Sequence, residues 1–270
     1  MSQTSKVVLL TGASGGLGSA IAKHLNSKGF IVYGLGRKPV KSPYYNWVYM
    51  DLVQPESIDN AIKEIVKKEK RIDILINNAG IGVTGSLEEM KMNDVRKAFE
   101  VNFFGTLFLI QKVLPVMRQT QTGTIINISS IAGYTGLPFR GIYSATKSAV
   151  MRMSEALSSE VKQFGIKVID VAPGDFKTKI AESRLYTPLN PQSPYYEDYK
   201  RVLKMIDEEV DKGLEPEILG HKIFKILAKK QPKLRYNIGL ILQKMTPVIQ
   251  CVLPGRLFEN LILKHYKMKR

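Results

Sequence analysis

The sequence of 270 residues predicts an α/β fold, a doubly wound parallel sheet with helices on both faces and extra helices at the C-terminal end. Short β-branched and leucine runs alternate with amphipathic stretches over residues 6–172, which is the pattern of repeated strand-helix units. A glycine-rich turn follows the first run, and 44% of the residues are hydrophobic, enough to bury a sheet on both faces. No linker, internal repeat or low-complexity tract divides the chain, so we predict one domain over residues 1–270.

The first unit is a predicted strand, tight turn and helix. Lys6 to Thr11 is followed by a glycine-rich turn over residues 12–18 and then by an amphipathic stretch through Leu25. Glycines let the backbone approach a pyrophosphate, and a helix N-terminus offers free N–H groups and a positive dipole. The spacing Gly-x-x-x-Gly-x-Gly is not the commoner fingerprint, but its place between strand and helix indicates a nucleotide site. The predicted contacts are Gly12, Ser14, Gly16, Leu17 and Gly18.

The second predicted strand, Phe30 to Leu35, leads into a basic pair, Arg37 and Lys38. Proteins that bind NAD usually present Asp or Glu to the ribose hydroxyls at this point, and no acid stands here. The two cations can instead bind a 2′-phosphate, since the guanidinium fork suits bidentate contact and Ser14 can assist from the turn. We therefore predict NADP(H) in preference to NAD(H). The alternative is that both cations are ordinary solvated charges.

Three residues further along the chain can deliver a proton. Tyr143 and Lys147 are one turn apart in a predicted helix over 143–164, so they share a face. A free tyrosine has a pKa of about 10, and an ammonium beside it favours the phenolate, which suits proton transfer near neutral pH. Ser130 ends a predicted buried strand that begins at Gly123, and strand ends in open α/β sheets bind ligands. Any one of the three can be ordinary surface or turn structure, but together with the nucleotide turn they predict catalysis.

In order and spacing, these motifs resemble those of the short-chain dehydrogenases/reductases. The matching segments are Thr11-Gly12-x-x-x-Gly16-x-Gly18, Asn77-Asn78-Ala79-Gly80, Asn102, Ser130, Tyr143-x-x-x-Lys147 and Pro173-Gly174. The resemblance covers roughly residues 5–180. It implies a Rossmann-type fold and reversible hydride transfer between a nicotinamide and a carbonyl carbon, with Tyr143 as general acid/base.

The resemblance also implies roles for further residues. Asn102 resembles the asparagine that anchors a water linking the catalytic lysine to solvent, and Lys147 in the family also binds the nicotinamide ribose. The other implied cofactor contacts are Asp51 with Leu52 at the adenine, the bracing segment Asn78, Ala79 and Gly80, and the carboxamide-binding segment with Pro173, Gly174 and Thr178. Family members commonly pair through helices that correspond to about 94–118 and 144–164, which implies a homodimer or homotetramer.

Two variable regions are predicted to bind the substrate, the segment after Ser130 and a tyrosine- and proline-rich lid at about 179–213. The predicted substrate contacts are Ser130, Tyr134, Leu137, Phe139, Tyr143, Phe176 and Tyr186. Their aromatic content favours a hydrophobic or lipid-like ketone, such as a steroid-like ketone, a long-chain 3-keto base or a 3-oxoacyl thioester. The last resembles the substrates of acyl-carrier reductases, which usually need no residues past about 245. Several tyrosines can alternatively serve only to seal the lid.

The positive charge is concentrated near the C-terminal end. The formal net charge is +16, and residues 200–270 hold 16 Lys and Arg against seven Asp and Glu, a net charge of +9. A predicted strand, Lys233 to Ile238, leads to a predicted helical extension at about 239–270 that ends in a basic cluster. This extension either packs on the domain or lies on an anionic membrane surface. No recognition motif or aromatic-interleaved basic patch indicates a nucleic-acid partner.

Composition bounds the remaining alternatives. The single cysteine, Cys251, excludes an internal disulfide framework. The histidines, His24, His221 and His265, lie far apart in sequence without an acidic or cysteine cluster, so no metal site is predicted.

The polar start indicates no secretory signal, and the uncharged span 119–139 is too polar to cross a bilayer. We predict a cytoplasmic location, with peripheral contact at the inner membrane face as an alternative, and we retain a non-catalytic NADP-sensing or membrane-surface scaffold as the competing class.

Overall fold

A computed structural model of the protein describes residues 5–178 and 184–268. Its strands are β1 (Val7–Thr11), β2 (Ile31–Gly36), β3 (Asn46–Tyr49), β4 (Ile74–Asn77), β5 (Val83–Thr84), β6 (Gly123–Ile128), β7 (Ile166–Pro173), β8 (Leu185–Tyr186) and β9 (Arg235–Ile238). Seven of them form a parallel sheet in the order β3-β2-β1-β4-β6-β7-β9, and β5 pairs with β8 in a separate ribbon. The predicted fold class, a doubly wound parallel sheet, is confirmed.

Helices cover both faces of the large sheet. They are α1 (Gly16–Asn26), α2 (Pro55–Glu69), α3 (Met92–Phe99), α4 (Gly105–Gln119), α5 (Gly141–Glu160), α6 (Tyr196–Asp211), α7 (Pro216–Leu227), α8 (Ile241–Val252) and α9 (Gly255–His265). One face packs against α2, α4 and α5, and the other face packs against α1 and α7. A π-helical turn over Glu100–Phe104 joins α3 to α4. The helices α8 and α9 form the predicted extension after β9.

Strand β1 shows why the sheet is buried on both faces. Successive side chains of a strand point to opposite sides, and in β1 both sides are apolar. Val7 and Leu9 enter the core beneath α2 and α4, whereas Val8 and Leu10 enter the core beneath α1 and α7. All five residues of β1 are buried. A continuous apolar run therefore forms a central strand here.

A chain of buried polar side chains fixes the register at the centre of the sheet. The Asn77 Nδ2 donates to Asn127 Oδ1 at 2.8 Å, and Asn127 Nδ2 donates to Ser154 Oγ at 2.8 Å. Each such bond contributes about 1 kcal/mol, and leaving a buried partner unpaired costs about 1–3 kcal/mol. Because the chain joins β4, β6 and α5, it sets the height of α5 relative to the carboxyl ends of the strands.

The helix from Met92 to Gln119, made of α3, the π-helical turn and α4, is long and apolar enough to cross a membrane by length and composition. Its inner face packs on the sheet through Leu109, Ile110 and Val113, which are buried. Core helices often have this composition, so the finding is weak evidence for a membrane span. Its packing explains the hydrophobic character without a bilayer.

Candidate active site

The carboxyl ends of the central strands open into a cavity of about 110 Å³. The cavity lies where the chain leaves β1 for one side of the sheet and β4 for the other, the place where open α/β sheets bind ligands. It is lined by predicted site residues from both halves of the sheet: Leu17, Asn78, Gly80, Ser130, Tyr143, Lys147, Pro173, Gly174, Phe176 and Thr178. The fold therefore gathers residues that lie up to 161 positions apart in the sequence, from Leu17 to Thr178.

Helix α5 presents the phenol and the ammonium on one face. The Lys147 Nζ lies 5.8 Å from the centre of the Tyr143 ring and donates to the backbone oxygen of Ile128 at 3.0 Å. Both side chains are buried and both line the cavity. The backbone of α5 lies close to the short helical turn after Ser130. Gly133 in that turn allows this, because a Cβ there would lie 2.9 Å from the carbonyl carbon of Lys147. The ammonium is thus held by the end of β6 beside the phenol.

Ser130 follows β6 and faces the same cavity. Its Oγ accepts the backbone N–H of Ala132 at 3.1 Å, which caps a short helical turn and fixes the side chain. The Oγ also lies 3.5 Å from the backbone oxygen of Pro173, which is too long for a strong hydrogen bond. The hydroxyl can therefore donate to a substrate oxygen.

Asn102 lies in the π-helical turn, where an extra residue redirects its side chain towards α5. Its Nδ2 donates to Ile81 O at 3.0 Å and to Thr146 Oγ1 at 3.1 Å, and its Oδ1 accepts the Ile81 N–H at 2.8 Å. A Cβ at Gly80 would lie 3.2 Å from Asn102 Oδ1 and 3.3 Å from Lys147 Nζ. The Asn102 amide and the Lys147 ammonium therefore both lie next to Gly80, where any larger residue would crowd them.

The glycine-rich turn between β1 and α1 has the shape that a pyrophosphate requires. Gly12 has a φ of +66°, and a Cβ at Gly18 would lie 2.1 Å from the oxygen of Gly12. Helix α1 begins at Gly16 without a side-chain cap, so no capping side chain occupies the N–H groups of its first turn, and Leu17 of that turn lines the cavity. Gly16 and Thr178 are in close contact, because a Cβ on the glycine would lie 3.0 Å from Thr178 Cγ2. These residues fit a bound dinucleotide.

The segment after β4 braces this turn. Asn78 Nδ2 donates to the backbone oxygen of Thr11 at 3.0 Å, and Thr11 Oγ1 accepts the N–H groups of Asn78 and Ala79, each at 2.9 Å. After β3, Asp51 Oδ1 accepts the N–H of Val53 at 3.2 Å. The next residue, Leu52, packs against the start of α4. These contacts hold the predicted adenine-binding segment and the glycine turn on the same edge of the sheet.

The two predicted phosphate-binding cations lie just beyond β2. Arg37 and Lys38 are exposed, as is Ser14 in the glycine turn. The N–H of Gly12 donates to Leu35 O at 3.1 Å, which joins the turn to the end of β2. The serine and the two cations therefore stand on neighbouring segments, where they can approach a 2′-phosphate together.

A second cavity, of about 320 Å³, adjoins the first. The two share Ser130, Arg140, Gly174 and Asp175 in their linings. Beyond this shared region the wall is mainly apolar and comes from the loop after Ser130 and from the last two helices: Leu137, Leu242, Ile249, Phe258, Leu261 and Ile262. A substrate held at Ser130 can therefore extend an apolar chain against α8 and α9.

Sequence reasoning missed a polar cluster at the junction of the two cavities. The guanidinium carbon of Arg140 lies 5.4 Å from the centre of the Tyr143 ring. Burial raises the pKa of Asp175, and the charge of Arg140 opposes that rise. Gln243, in α8, donates to the Asp175 carboxylate. Asp175 directly follows the predicted Pro173-Gly174 segment, but its partners are distant in sequence and only the folded chain brings them together.

Three predicted substrate contacts lie outside the linings of both cavities. The Tyr134 hydroxyl donates to Asn237 Oδ1 at 2.7 Å, and its ring lies beneath Arg235, so it faces β9 and lines neither cavity. Tyr186 lies in β8 with 60% of its surface exposed and is likewise outside both linings. Phe139 packs on Tyr199, with ring centres 5.3 Å apart. Of the predicted apolar contacts, Leu137 and Phe176 do line a cavity.

Two of the three histidines come together in the fold. His24 and His221 are far apart in sequence, but packing of α1 on α7 stacks their rings with centroids 5.3 Å apart. Burial lowers the pKa of His24, and the charge of His221 adds to that effect. Among residues 5–178 and 184–268, no group of three or more His, Cys, Asp or Glu side chains is placed to hold a metal ion.

The glycine turn at the sheet edge, with the serine, tyrosine and lysine around one cavity, defines a nucleotide-dependent oxidoreductase of the Rossmann-type fold. The family model described as "short chain dehydrogenase" matches residues 6–187. The chain belongs to the short-chain dehydrogenase/reductase family and acts on ketone or alcohol groups, so the predicted family and enzyme class are confirmed.

Relatives of known name match over the full length. The chain is 39% identical over 266 residues to a 3-ketodihydrosphingosine reductase of Bacteroides thetaiotaomicron, covering 98% of this chain and 99% of that protein. It is 29% identical to an NADPH-dependent 3-dehydrocapnine reductase of Ornithobacterium rhinotracheale, covering 97% and 98%. A solved short-chain dehydrogenase from Streptomyces avermitilis is 29% identical to this chain and superposes with a TM-score of 0.83. The match covers 99% of this chain and 97% of that chain. The likeness therefore includes the C-terminal helices.

Proposed function

We propose that the protein is an NADPH-dependent reductase of a hydrophobic, lipid-like ketone, with Tyr143 as the general acid. The observation that carries the proposal is the apolar cavity of about 320 Å³ that begins at Ser130 and continues against α8 and α9. A ketone oxygen at Ser130 and an alkyl chain along this wall would occupy both cavities at once. Apolar side chains that surround a few convergent polar groups are typical of small-molecule sites.

The cofactor is NADP(H), and the residues present fit it. The glycine turn and the first turn of α1 would hold the pyrophosphate, and Arg37 with Lys38 and Ser14 would hold the 2′-phosphate. When bound, the dihydronicotinamide supplies a hydride to the carbonyl carbon. The relative from Ornithobacterium rhinotracheale is NADPH-dependent by name, which supports the predicted preference for NADP(H).

The side chains of the cavity then perform the proton chemistry. Ser130 and Tyr143 donate hydrogen bonds to the carbonyl oxygen and stabilise the negative charge that develops on it. Tyr143 transfers its proton to that oxygen, which gives the secondary alcohol and a phenolate. Lys147 stabilises the phenolate by charge, and Asn102, which Ile81 and Thr146 hold in place, would anchor a water through which we propose that Lys147 resupplies the proton.

Among the candidate substrates, a long-chain 3-keto base fits better than a 3-oxoacyl thioester. Asp175 and Glu209 line the second cavity beside Arg140 and His265, and their remaining carboxylate oxygens can accept hydrogen bonds from an ammonium group next to the ketone. A thioester has no such cation. The 3-ketodihydrosphingosine reductase, 39% identical over its full length, supports this choice.

The lid, the oligomer and the location remain predictions. Residues 179–183 of the predicted lid lie outside the described residues. Within the rest, Arg184 lines the first cavity and pairs with Asp207 at 2.8 Å, so the start of the lid is joined to the helix α6 within the same lid. We keep a single domain, a homodimer or homotetramer and a cytoplasmic location as part of the proposal.

The test follows loss of NADPH absorbance with ketones of graded chain length, a long-chain 3-keto base and a 3-oxoacyl thioester. We expect kcat/KM to rise with chain length, to be highest for the 3-keto base, and to fall with NADH. Activity only on short polar ketones would contradict the apolar cavity, and equal rates with NADH would contradict the role of Arg37. NADPH binding without turnover of any ketone would instead favour a non-catalytic sensor or scaffold.

A further inference from the structure

Helices α8 and α9 with their flanking residues, here called the C-terminal hairpin (residues 240–268), expose an unusual amount of apolar surface. In α8 no residue is buried, and in α9 only Phe258 is buried. Ile241 is 78% exposed, Val252 75% and Leu242 73%. The other exposed large apolar side chains of the hairpin are Leu240, Met245, Val248, Leu257 and Leu261. An apolar surface of this extent marks an interaction site.

Specific contacts fix the orientation of the hairpin. Gln243 donates to the Asp175 carboxylate, and its Oε1 accepts the N–H of Asp175 at 3.3 Å. At the other end, His265 Nε2 lies 2.9 Å from Glu209 Oε1, and Tyr266 is buried against α6. The hairpin is thus attached by polar contacts at both ends and by the buried side chains of Phe258 and Tyr266, while the apolar side chains named above remain exposed. A helix that only packs on a core buries such side chains.

The charge of the hairpin selects the partner. Between residues 240 and 270 the sequence contains one acid, Glu259, and that acid pairs with Arg256 at 2.7 Å. Lys244, Lys264 and Lys267 are exposed. Apolar side chains flanked by lysines suit an anionic lipid surface, where each cation near the surface contributes to binding. A second copy of the chain fits less well, because a symmetric contact through this face would bring like charges together.

The second cavity opens through the same apolar face. Leu242 and Leu261 line that cavity, and they are 73% and 48% exposed. The same cavity is lined by Ser130. It therefore connects the exposed side of the hairpin with the serine that binds the carbonyl oxygen, along apolar side chains and past the polar cluster of Arg140, Asp175 and Gln243.

We propose that the C-terminal hairpin docks on the surface of anionic membranes, and that a lipid ketone enters the active site from the bilayer between α8 and α9. The second half rests on the proposed function, whereas the docking does not. The exposed apolar side chains insert among the acyl chains, and the lysines contact the anionic headgroups. The substrate then reaches Ser130 without crossing water.

The experiment is co-sedimentation of the full chain with vesicles of phosphatidylcholine, with and without phosphatidylglycerol. The test variant is Ile241→Glu with Val252→Glu, since neither residue lines either of the two cavities. The matched control is Ile218→Glu with Leu234→Glu, which adds the same charge at exposed apolar positions elsewhere. We expect binding to the anionic vesicles, lost by roughly tenfold or more in the test variant and unchanged in the control.

A second variant separates the charge from the apolar contact. Lys244→Gln with Lys264→Gln should weaken binding to anionic vesicles by roughly tenfold and reduce its salt dependence. Each variant is also assayed with a short dispersed ketone, whose turnover should be unchanged. Failure of that assay in the wild-type protein would argue against the proposed function alone, since docking is measured without substrate.

Three results would overturn the docking proposal: no binding of the wild-type chain to anionic vesicles, equal binding by the Ile241→Glu/Val252→Glu variant, or a smaller oligomer for that variant by light scattering. The last result would assign the hairpin to a second copy of the chain. If docking holds but a long-chain ketone in vesicles is reduced no faster by the wild-type chain than by the variant, entry from the bilayer is wrong.

Discussion

The catalytic helix α5 lines the first cavity and the C-terminal hairpin lines the adjoining second cavity, and the two elements are held in opposite ways. In α5, Tyr143, Lys147 and Thr146 are buried; the backbone oxygen of Ile128 holds the Lys147 ammonium, and the backbone oxygen of Tyr143 and the Asn102 amide hold the Thr146 hydroxyl. The hairpin buries little and reaches the site mainly through side chains such as Gln243. The chemistry is therefore built into rigid backbone, whereas the selection of substrate is left to a surface element that can vary.

The largest expected effect tests the catalytic role of α5. Replacing Tyr143 by Phe removes the proton donor and keeps the ring, so kcat/KM should fall by about 10²–10⁴-fold. NADPH binding, followed by fluorescence, should change little. The matched control is Tyr134→Phe, which removes a hydroxyl that donates to Asn237 outside both cavities and should leave turnover unchanged. Comparable activity in the two variants would contradict the assignment of Tyr143.

The next effect separates cofactor selection from catalysis. Arg37→Ala removes the guanidinium proposed to bind the 2′-phosphate, so the KM for NADPH should rise by roughly 10- to 100-fold, with kcat and the KM for NADH little changed. Initial rates with both cofactors give these values. Arg71→Ala serves as the control, because that guanidinium pairs with Asp73 at the amino end of the sheet. An equal rise in the KM for both cofactors would mean that Arg37 acts on the fold.

A smaller expected effect tests whether the C-terminal hairpin selects the substrate. Ile249 lines the second cavity and neighbouring Val248 does not, so Ile249→Trp should fill the space and Val248→Trp should not. We expect Ile249→Trp to lower kcat/KM for long-chain ketones by about tenfold and to leave short ketones unaffected. Equal losses on all chain lengths would indicate that the hairpin supports catalysis directly, and the contrast with α5 would fail.

The smallest expected effect is a pH dependence of the stability of α9 in the hairpin. The hydrogen bond to Glu209 raises the pKa of His265, while burial opposes that rise. Because the folded pKa lies above the unfolded value of about 6.5, this contribution to stability is complete below about pH 6.5 and is lost as pH rises through the folded pKa. Hydrogen exchange of α9, corrected for its intrinsic rate, should therefore become faster as the pH rises above about 6.5.

In the His265→Gln variant, which cannot carry the charge, the pH dependence of exchange in α9 should disappear. The same slope in the variant and the wild-type chain would assign it to another group, of which Asp175 and Glu209 are the nearest. Exchange in α5 provides the internal control, because we expect its buried contacts to be insensitive over this range.

The sequence predicted the parts of this molecule in which local pattern decides structure. The apolar run at β1, the glycines of the turn and the four-residue spacing of Tyr143 and Lys147 all led to elements that the structure contains. It failed where distant segments decide. Tyr134 follows Ser130 closely, but a short helical turn at Ile131–Gly133 directs it towards β9.

The junction of Arg140, Asp175 and Gln243 was missed for a related reason. Each residue alone resembles a surface polar group, and no local pattern pairs them. The apolar stretches of the hairpin did predict helices. Their pattern could not indicate which side would face outward, because polar contacts from Gln243 and His265 determine that orientation.

The π-helical turn at Glu100–Phe104 places a limit on how this chain can change in length. Removing one residue there would restore the ordinary helical period and leave α3 and α4 nearly in phase, but it would remove the extra residue that directs the Asn102 side chain. Asn102 would then lose Ile81 and Thr146, although the neighbouring Phe104 is solvent-exposed. A deletion in a helix that looks permissive from outside should therefore stop proton resupply before it unfolds the protein.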